Sequence, residues 1–157
     1  MSTVFSLSNF LVLPFWALMI VLPRWRWTER IMRSPLIAAP PAVLYAVLVV
    51  PQLGALLRQL SSPTPKQIAA LLGTPEGATI GWAHFLAFDL FVGRWAYLDS
   101  RERQISPWLM APVLFLIFLF GPLGFVIYLG VRALRGSRST STTTYPTHAQ
   151  LDRHTHV

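Results

Sequence analysis

Residues 81–95 read GWAHFLAFDLFVGRW, and whether they cross a membrane decides the fold. The stretch is apolar enough for a membrane helix, yet it carries His84, Asp89 and Arg94, groups that hydrocarbon disfavours. Its surroundings set the class. Residues 1–23, 34–57 and 104–131 contain no Asp, Glu, Lys or Arg, and each run exceeds the ~18–20 residues that a helix needs to cross a bilayer. With the apolar stretch 79–98 as a fourth, the sequence predicts an all-α, polytopic membrane protein. Its four transmembrane helices would cover about 5–22, 35–57, 79–98 and 108–132, within one membrane domain over 1–135. An even number of spans puts both termini on one side.

Composition agrees. With 54% apolar and 12% charged residues, the chain departs from the soluble norm of about half apolar and a quarter charged. A net charge of +7 would suggest nucleic acid in a soluble protein. Here the 13 Lys and Arg cluster at the ends of apolar runs, so membrane lipid is the expected partner and no nucleic acid is. The absence of cysteine excludes disulfides, thiolate metal ligands and a thiol nucleophile. No basic residue precedes Arg24, no small-residue cleavage site follows, and the first apolar run closes on PRWRW at 23–27. It therefore reads as a retained helix rather than a signal peptide, with a bacterial plasma membrane as the expected address.

Local signals place the punctuation. Trp25 and Trp27, interleaved with Arg24 and Arg26, mark a head-group layer after the first helix. Pro40, Pro41 and Pro51 predict a kinked second helix. Thr64 and Pro65, with Gly73 downstream, predict a short helix in the longest connection, and Thr74, Pro75 and Glu76 repeat the start signal before the third span. Pro112 and GPLG at 121–124 predict a kink in the fourth helix. Residues 136–157, rich in Ser and Thr, predict a disordered tail. Six basic residues after the odd-numbered helices oppose five on the other side, so the count gives no orientation. Weight on the first helix, basic only at its C-terminal flank, puts the termini outside.

Three polar groups in the third helix carry the chemistry. Five positions on a helix amount to about 140° of rotation and ~7.5 Å of rise, so His84, Asp89 and Arg94 cannot form a triad by themselves. Arg94, beside Trp95 and Tyr97, reads as a snorkelling interfacial arginine. Asp89, near the middle of the span, costs roughly 2.5–3.5 kcal/mol on the insertion scale. It is either a functional group or a carboxyl hydrogen-bonded to Ser8, Asn9, Tyr45 or Gln52. His84 is either functional or a neutral imidazole bonded between helices. Phe85, Phe88, Phe91 and Trp95 read first as packing. With only His84 inside a helix, neither a di-iron hydroxylase nor a bis-histidine haem can be built, and Lys66, the sole lysine, lies in a connection where no retinal Schiff base would form. No cofactor and no metal is called for. What remains, an acid and an imidazole in an apolar bundle, suits proton transfer on a lipid-soluble molecule.

HFLAFDLFVGRW at 84–95, with VLPFWALMIVLP at 12–23 and FGPLGFVIYL at 120–129, resembles the abscisic-acid-deficiency-four-like family of small integral membrane proteins. The most specific match is His84, then Asp89-Leu90-Phe91, then Arg94, with Pro122 and Gly124 matching the proline-glycine pair; the likeness extends over about 5–132. It implies neoxanthin synthase-like isomerisation of an epoxy carotenoid to an allenic one. A proton leaves beside the ring, the epoxide opens and a proton reaches the oxygen, with Asp89 as base and His84 as acid. Arg94, Phe88, Phe91 and Asn9 form the candidate substrate-binding set, the ligand being a carotenoid or another isoprenoid and the partners carotenoid-pathway enzymes. A carotenoid-binding scaffold is the alternative, and a proton or ion carrier a weaker one. An apolar cleft shared by Asp89 and His84 would favour binding or catalysis.

Overall fold

The computed structural model describes residues 1–136, and among them every regular element is helical. In chain order these are α1 (Ser2–Val21), α2 (Arg26–Arg33), α3 (Ala39–Val49), α4 (Leu53–Leu60), α5 (Pro65–Leu72), α6 (Pro75–Glu102), α7 (Pro107–Phe120) and α8 (Pro122–Gly136). The tail expected over 136–157 lies, beyond Gly136, outside the described residues. Short 3-10 turns, Pro35–Ala38 and Val50–Gln52, join α3 and α4 into one run at the prolines, which lack the donor that an α-helix would need there. Thr64 and Gln67 cap α5 reciprocally, and the Thr74 hydroxyl accepts from Gly77 N at 3.0 Å to start α6.

The central helix is α6. Its buried stripe, Thr79, Ala83, Leu86, Leu90, Gly93, Tyr97 and Ser100, repeats at alternating spacings of four and three, the period of a helix packed along its whole length. Gly93 lets α1 close in: a Cβ there would run into the Trp16 ring. α1 runs parallel to α6, with Phe5 stacked on Trp82 at 5.5 Å near one end and the Tyr97 hydroxyl donating to Pro23 O at 2.9 Å near the other. α3 runs antiparallel, since Arg94 reaches Met32 and Arg33 while Tyr45 lies on His84.

Four spans are not what the helices give. Among the described residues, two are long and apolar enough by length and composition to cross a membrane, Ser2–Val21 and Pro35–Leu60, and Pro107–Phe120 is a shorter apolar helix. α6 has the length, with 28 residues, but it carries charges. The helix expected over 108–132 is broken. Gly121 has φ +36 and ψ −93, a backbone conformation open to glycine and strained for other residues, and Pro122 then starts α8 with a ring that donates no hydrogen bond. The chain doubles back there. A Cβ on Gly124 would fall on the backbone of Leu116 and Ile117, contacts that a merely kinked helix could not make.

Further along α8, Tyr128 and Arg132 both donate to Asp99 of α6. So α7 climbs from the Asp99 end of α6 to the level of Asp89, and α8 returns to the same end. Fourteen residues of α7 rise about 21 Å, half the ~42 Å of α6. The hairpin also separates the termini: Ser2 lies at the Trp82 end and Gly136 at the Asp99 end. Charges follow the same division. Arg24, Arg26, Arg30, Arg33, Arg101, Arg103, Arg132 and Arg135 gather at the Asp99 end, against Arg58 and Lys66 at the other. The near balance of six against five came from treating α7 and α8 as one crossing.

Candidate functional site

Asp89 lies at the middle of α6, and its carboxyl is turned to the corner between α7 and α8. Oδ1 takes the space that a Cβ on Gly121 would need, so glycine at the corner makes room for the acid as well as for the turn. The carboxyl also faces the start of α8, where the helix dipole favours an anion. Among the described residues, no donor reaches either oxygen. The partners that the sequence offered are engaged elsewhere: Ser8 Oγ donates to Phe5 O at 2.7 Å, Gln52 Nε2 to Leu48 O at 3.0 Å, and Asn9 Nδ2 to Phe5 O at 2.9 Å. Tyr45 instead rests on the His84 ring.

His84 is half-buried, its ring held between Tyr45 at 5.2 Å and Phe88 at 4.8 Å. One cavity of about 680 Å³ has both His84 and Asp89 in its wall, together with Asn9, Trp82, Phe85, Phe88 and the corner residues Phe118 to Pro122. That volume is in the range of small-molecule pockets, ~300–1,000 Å³. Most of the wall is aromatic or aliphatic. Asn9 enters it with Oδ1 accepting from Trp82 Nε1 at 3.1 Å and Nδ2 donating to Phe5 O at 2.9 Å, which fixes its side chain at the end of the cavity.

The other two candidates are not brought together with these. Phe91 is half-exposed and lies outside the cavity wall. Arg94 is turned to α2: Nε donates to Met32 O at 2.6 Å and Nη2 to Arg33 O at 2.9 Å. These carbonyls end α2 without intrahelical donors, and a cation there also meets the negative end of the helix dipole. Arg94 therefore fastens α2 against α6. It lines no part of the cavity that His84 and Asp89 share.

The sequence also missed a polar cluster. Asp99 Oδ2 accepts from Arg103 Nε at 2.8 Å, from Arg132 Nε at 3.0 Å and from the Tyr128 hydroxyl, and Arg132 covers the Trp95 ring at 5.7 Å. The Asp99–Arg103 spacing of four is legible on a helix. Tyr128 and Arg132 were not, because they arrive only through the hairpin. The cluster ties α8 to α6 and stands apart from the cavity. In consequence Asp99 is a partnered carboxyl near the helix end, and Asp89 an unpartnered one at mid-helix.

A family model described as ABA DEFICIENT 4-like matches residues 3–128. The chain is also similar to "Protein ABA DEFICIENT 4, chloroplastic" of Arabidopsis thaliana, 30% identical over 139 residues, which cover 85% of this chain and 62% of the relative. The chain thus spans less than two thirds of that relative's length. No solved structure matches.

Proposed function

The chain belongs to the ABA DEFICIENT 4-like family, and from that premise we propose that it is a multi-pass membrane protein of carotenoid or isoprenoid metabolism. In this reading α1, the Pro35–Leu60 run and α6 span the bilayer, the plasma membrane of a bacterium on the sequence reading, and α7–α8 is a hairpin that enters and leaves on one face. Non-helical backbone at membrane depth is tolerated where protein or a cavity surrounds it, and Gly121 is buried beside Asp89. The arginine-rich Asp99 end faces the cytoplasm by the excess of basic residues, so the N-terminus is outside, as the first helix suggested, and α8 ends inside.

The reaction is isomerisation of an epoxy carotenoid to an allenic one. Asp89 takes the vinylic proton beside the epoxide, and the released electron pair forms the second double bond of the allene as one carbon–oxygen bond breaks. His84 delivers a proton to that oxygen, which becomes a hydroxyl. Nothing is added or lost, and no cofactor enters. The observation that carries the reading is the unpartnered Asp89 carboxyl sharing an apolar cavity with His84. It favours a ligand site over a carboxyl that merely holds helices together, since no hydroxyl or amide reaches it among the described residues.

The test is the pigment profile of a host that makes epoxy carotenoids, expressing the intact chain or Asp89→Asn or His84→Ala at matched membrane levels. An allenic isomer made by the intact chain and lost in both variants is the expected result. Pigment that copurifies unchanged with all three would refute catalysis and favour a carotenoid-binding scaffold that serves pathway enzymes.

A further inference from the structure

The cavity is lopsided. Its floor is the α7–α8 corner, and its α6 wall extends from Asp89 mainly toward the N-terminal end, through Phe88 and Phe85 to Trp82. Seven helical steps from Asp89 back to Trp82 make that wall about 10 Å long. A full fourth span would have covered it. The hairpin stops at the level of Asp89, and Phe85 and Phe88 remain 55% and 59% exposed. The groove is therefore open to its side on the half of the bundle where α1 begins.

Polarity in the wall is lopsided too. At the far end, Trp82 Nε1 and Asn9 Oδ1 satisfy each other. At the floor, no donor reaches the Asp89 carboxyl among the described residues, and its oxygens are left to accept. A hydrocarbon end pressed against it would leave the acid buried without a partner, which is costly. A hydroxyl end would supply the missing donor.

We infer that the groove loads sideways from the outer leaflet and takes a rod-like apolar molecule whose hydroxyl-bearing end sits against Asp89 at mid-bilayer, with its chain lying along Phe85 and Trp82. The inference rests on the membrane and pigment reading above and adds the leaflet, the direction and the end group. The contact selects the ligand on entry and is exchanged for the vinylic C–H in the reaction proposed above, since one carboxyl cannot serve both positions of the ring at once.

The test uses the purified full chain in lipid nanodiscs and two probes of equal length, a polyene with a hydroxyl on each end ring and its hydrocarbon parent. Binding is read from quenching of protein tryptophan fluorescence. Supplying the partner of a buried polar group that otherwise lacks one corresponds to roughly tenfold in affinity, so the hydroxylated probe should bind about tenfold tighter. Asp89→Leu should bring the two affinities together. Because the chain has no cysteine, Phe85→Cys and Phe115→Cys can each be labelled with one bulky maleimide. The label at Phe85, in the groove, should block both probes, and the label at Phe115, outside the wall, should not. Unfolding temperature is matched across all proteins. Equal affinities for the two probes, or a preference that survives Asp89→Leu, would overturn the end-group assignment. A block from Phe115 and not Phe85 would overturn the route. If neither probe binds the intact chain, the pigment reading falls with the inference, whereas binding without preference sinks the inference alone.

Discussion

Gly124→Ala tests the hairpin directly. In a continuous helix, residues 117 and 124 are seven positions and about 10.5 Å apart along the axis, and a methyl group on one would not touch the other. With the chain turned back at Gly121, a Cβ on Gly124 falls on the backbone of Leu116 and Ile117. Backbone cannot swing aside as a side chain can, so α7 and α8 must part. Overpacking of this kind costs about 1–3 kcal/mol, offset by the ~0.5–1 kcal/mol that alanine gains over glycine in a helix. Gly130 is the internal control. It lies in the same helix with nothing within 4 Å of an added Cβ, so Gly130→Ala should keep the propensity gain without the clash. Propensity cancels between the two variants, which should then differ by the clash alone, about 1–3 kcal/mol. For a chain of this size each kcal/mol moves Tm by roughly 2–4 °C, so a central value is a gap of about 6 °C, read by far-UV circular dichroism in matched nanodiscs. Equal Tm for the two variants would mean that α7 and α8 do not pack back to back, and the hairpin would have to be abandoned.

The two aspartates should behave oppositely. Asp89→Leu removes a carboxyl without a donor and should leave Tm unchanged or higher, whereas Asp99→Leu strips Tyr128, Arg103 and Arg132 of their acceptor and should cost about 1–2 kcal/mol once the exposure of the arginines is allowed for; a larger loss at Asp89 would contradict the cavity. Arg94→Gln should cost about 1–2 kcal/mol and speed amide exchange within residues 26–33 while leaving pigment binding intact, so slow exchange there with lost binding would return Arg94 to the ligand. Single cysteines in place of Ser2 and Gly136 should react with a membrane-impermeant maleimide from opposite faces of sealed vesicles. Labelling of both from one face would restore four full spans.

What the sequence made legible, and what it hid, divides along the range of the interactions involved. Uncharged runs longer than a bilayer is thick announced α1 and the Pro35–Leu60 run, and Thr64-Pro65 and Thr74-Pro75 announced α5 and α6, because caps act within one turn. The corner was hidden. GPLG suits a kink or a reversal equally well, and the choice lies in contacts between residues far apart, Gly124 on Ile117 and Gly121 against Asp89. Arg94 was visible as a helix-end arginine, but its acceptors belong to α2, an element that the sequence left as a connection. The spacing of His84 and Asp89 misled differently. A rotation of 140° seemed to part them, yet a cavity that curves around α6 is walled by both, so facing one way is not a condition for sharing a site.

One feature joins the carboxyl, the cavity and the charge asymmetry. A carboxyl at the centre of a long apolar helix is tolerable where its neighbours are small and a helix start points at it, and the α7–α8 corner supplies both through Gly121 and the first turn of α8. The same corner ends at half depth, so the upper half of α6 lacks the side chains that a fourth span would have laid across it, and a groove opens beside the acid. It also returns the chain to its starting face, which gathers Arg101, Arg103, Arg132 and Arg135 with the arginines around α2. Were the helix continuous, Asp89 would be boxed in by apolar packing, the groove would close, and basic residues would divide more evenly between the two ends of the bundle. On this account the least tolerant position in the site is neither Asp89 nor His84 but Gly121, because any side chain there displaces the acid and straightens the turn at once.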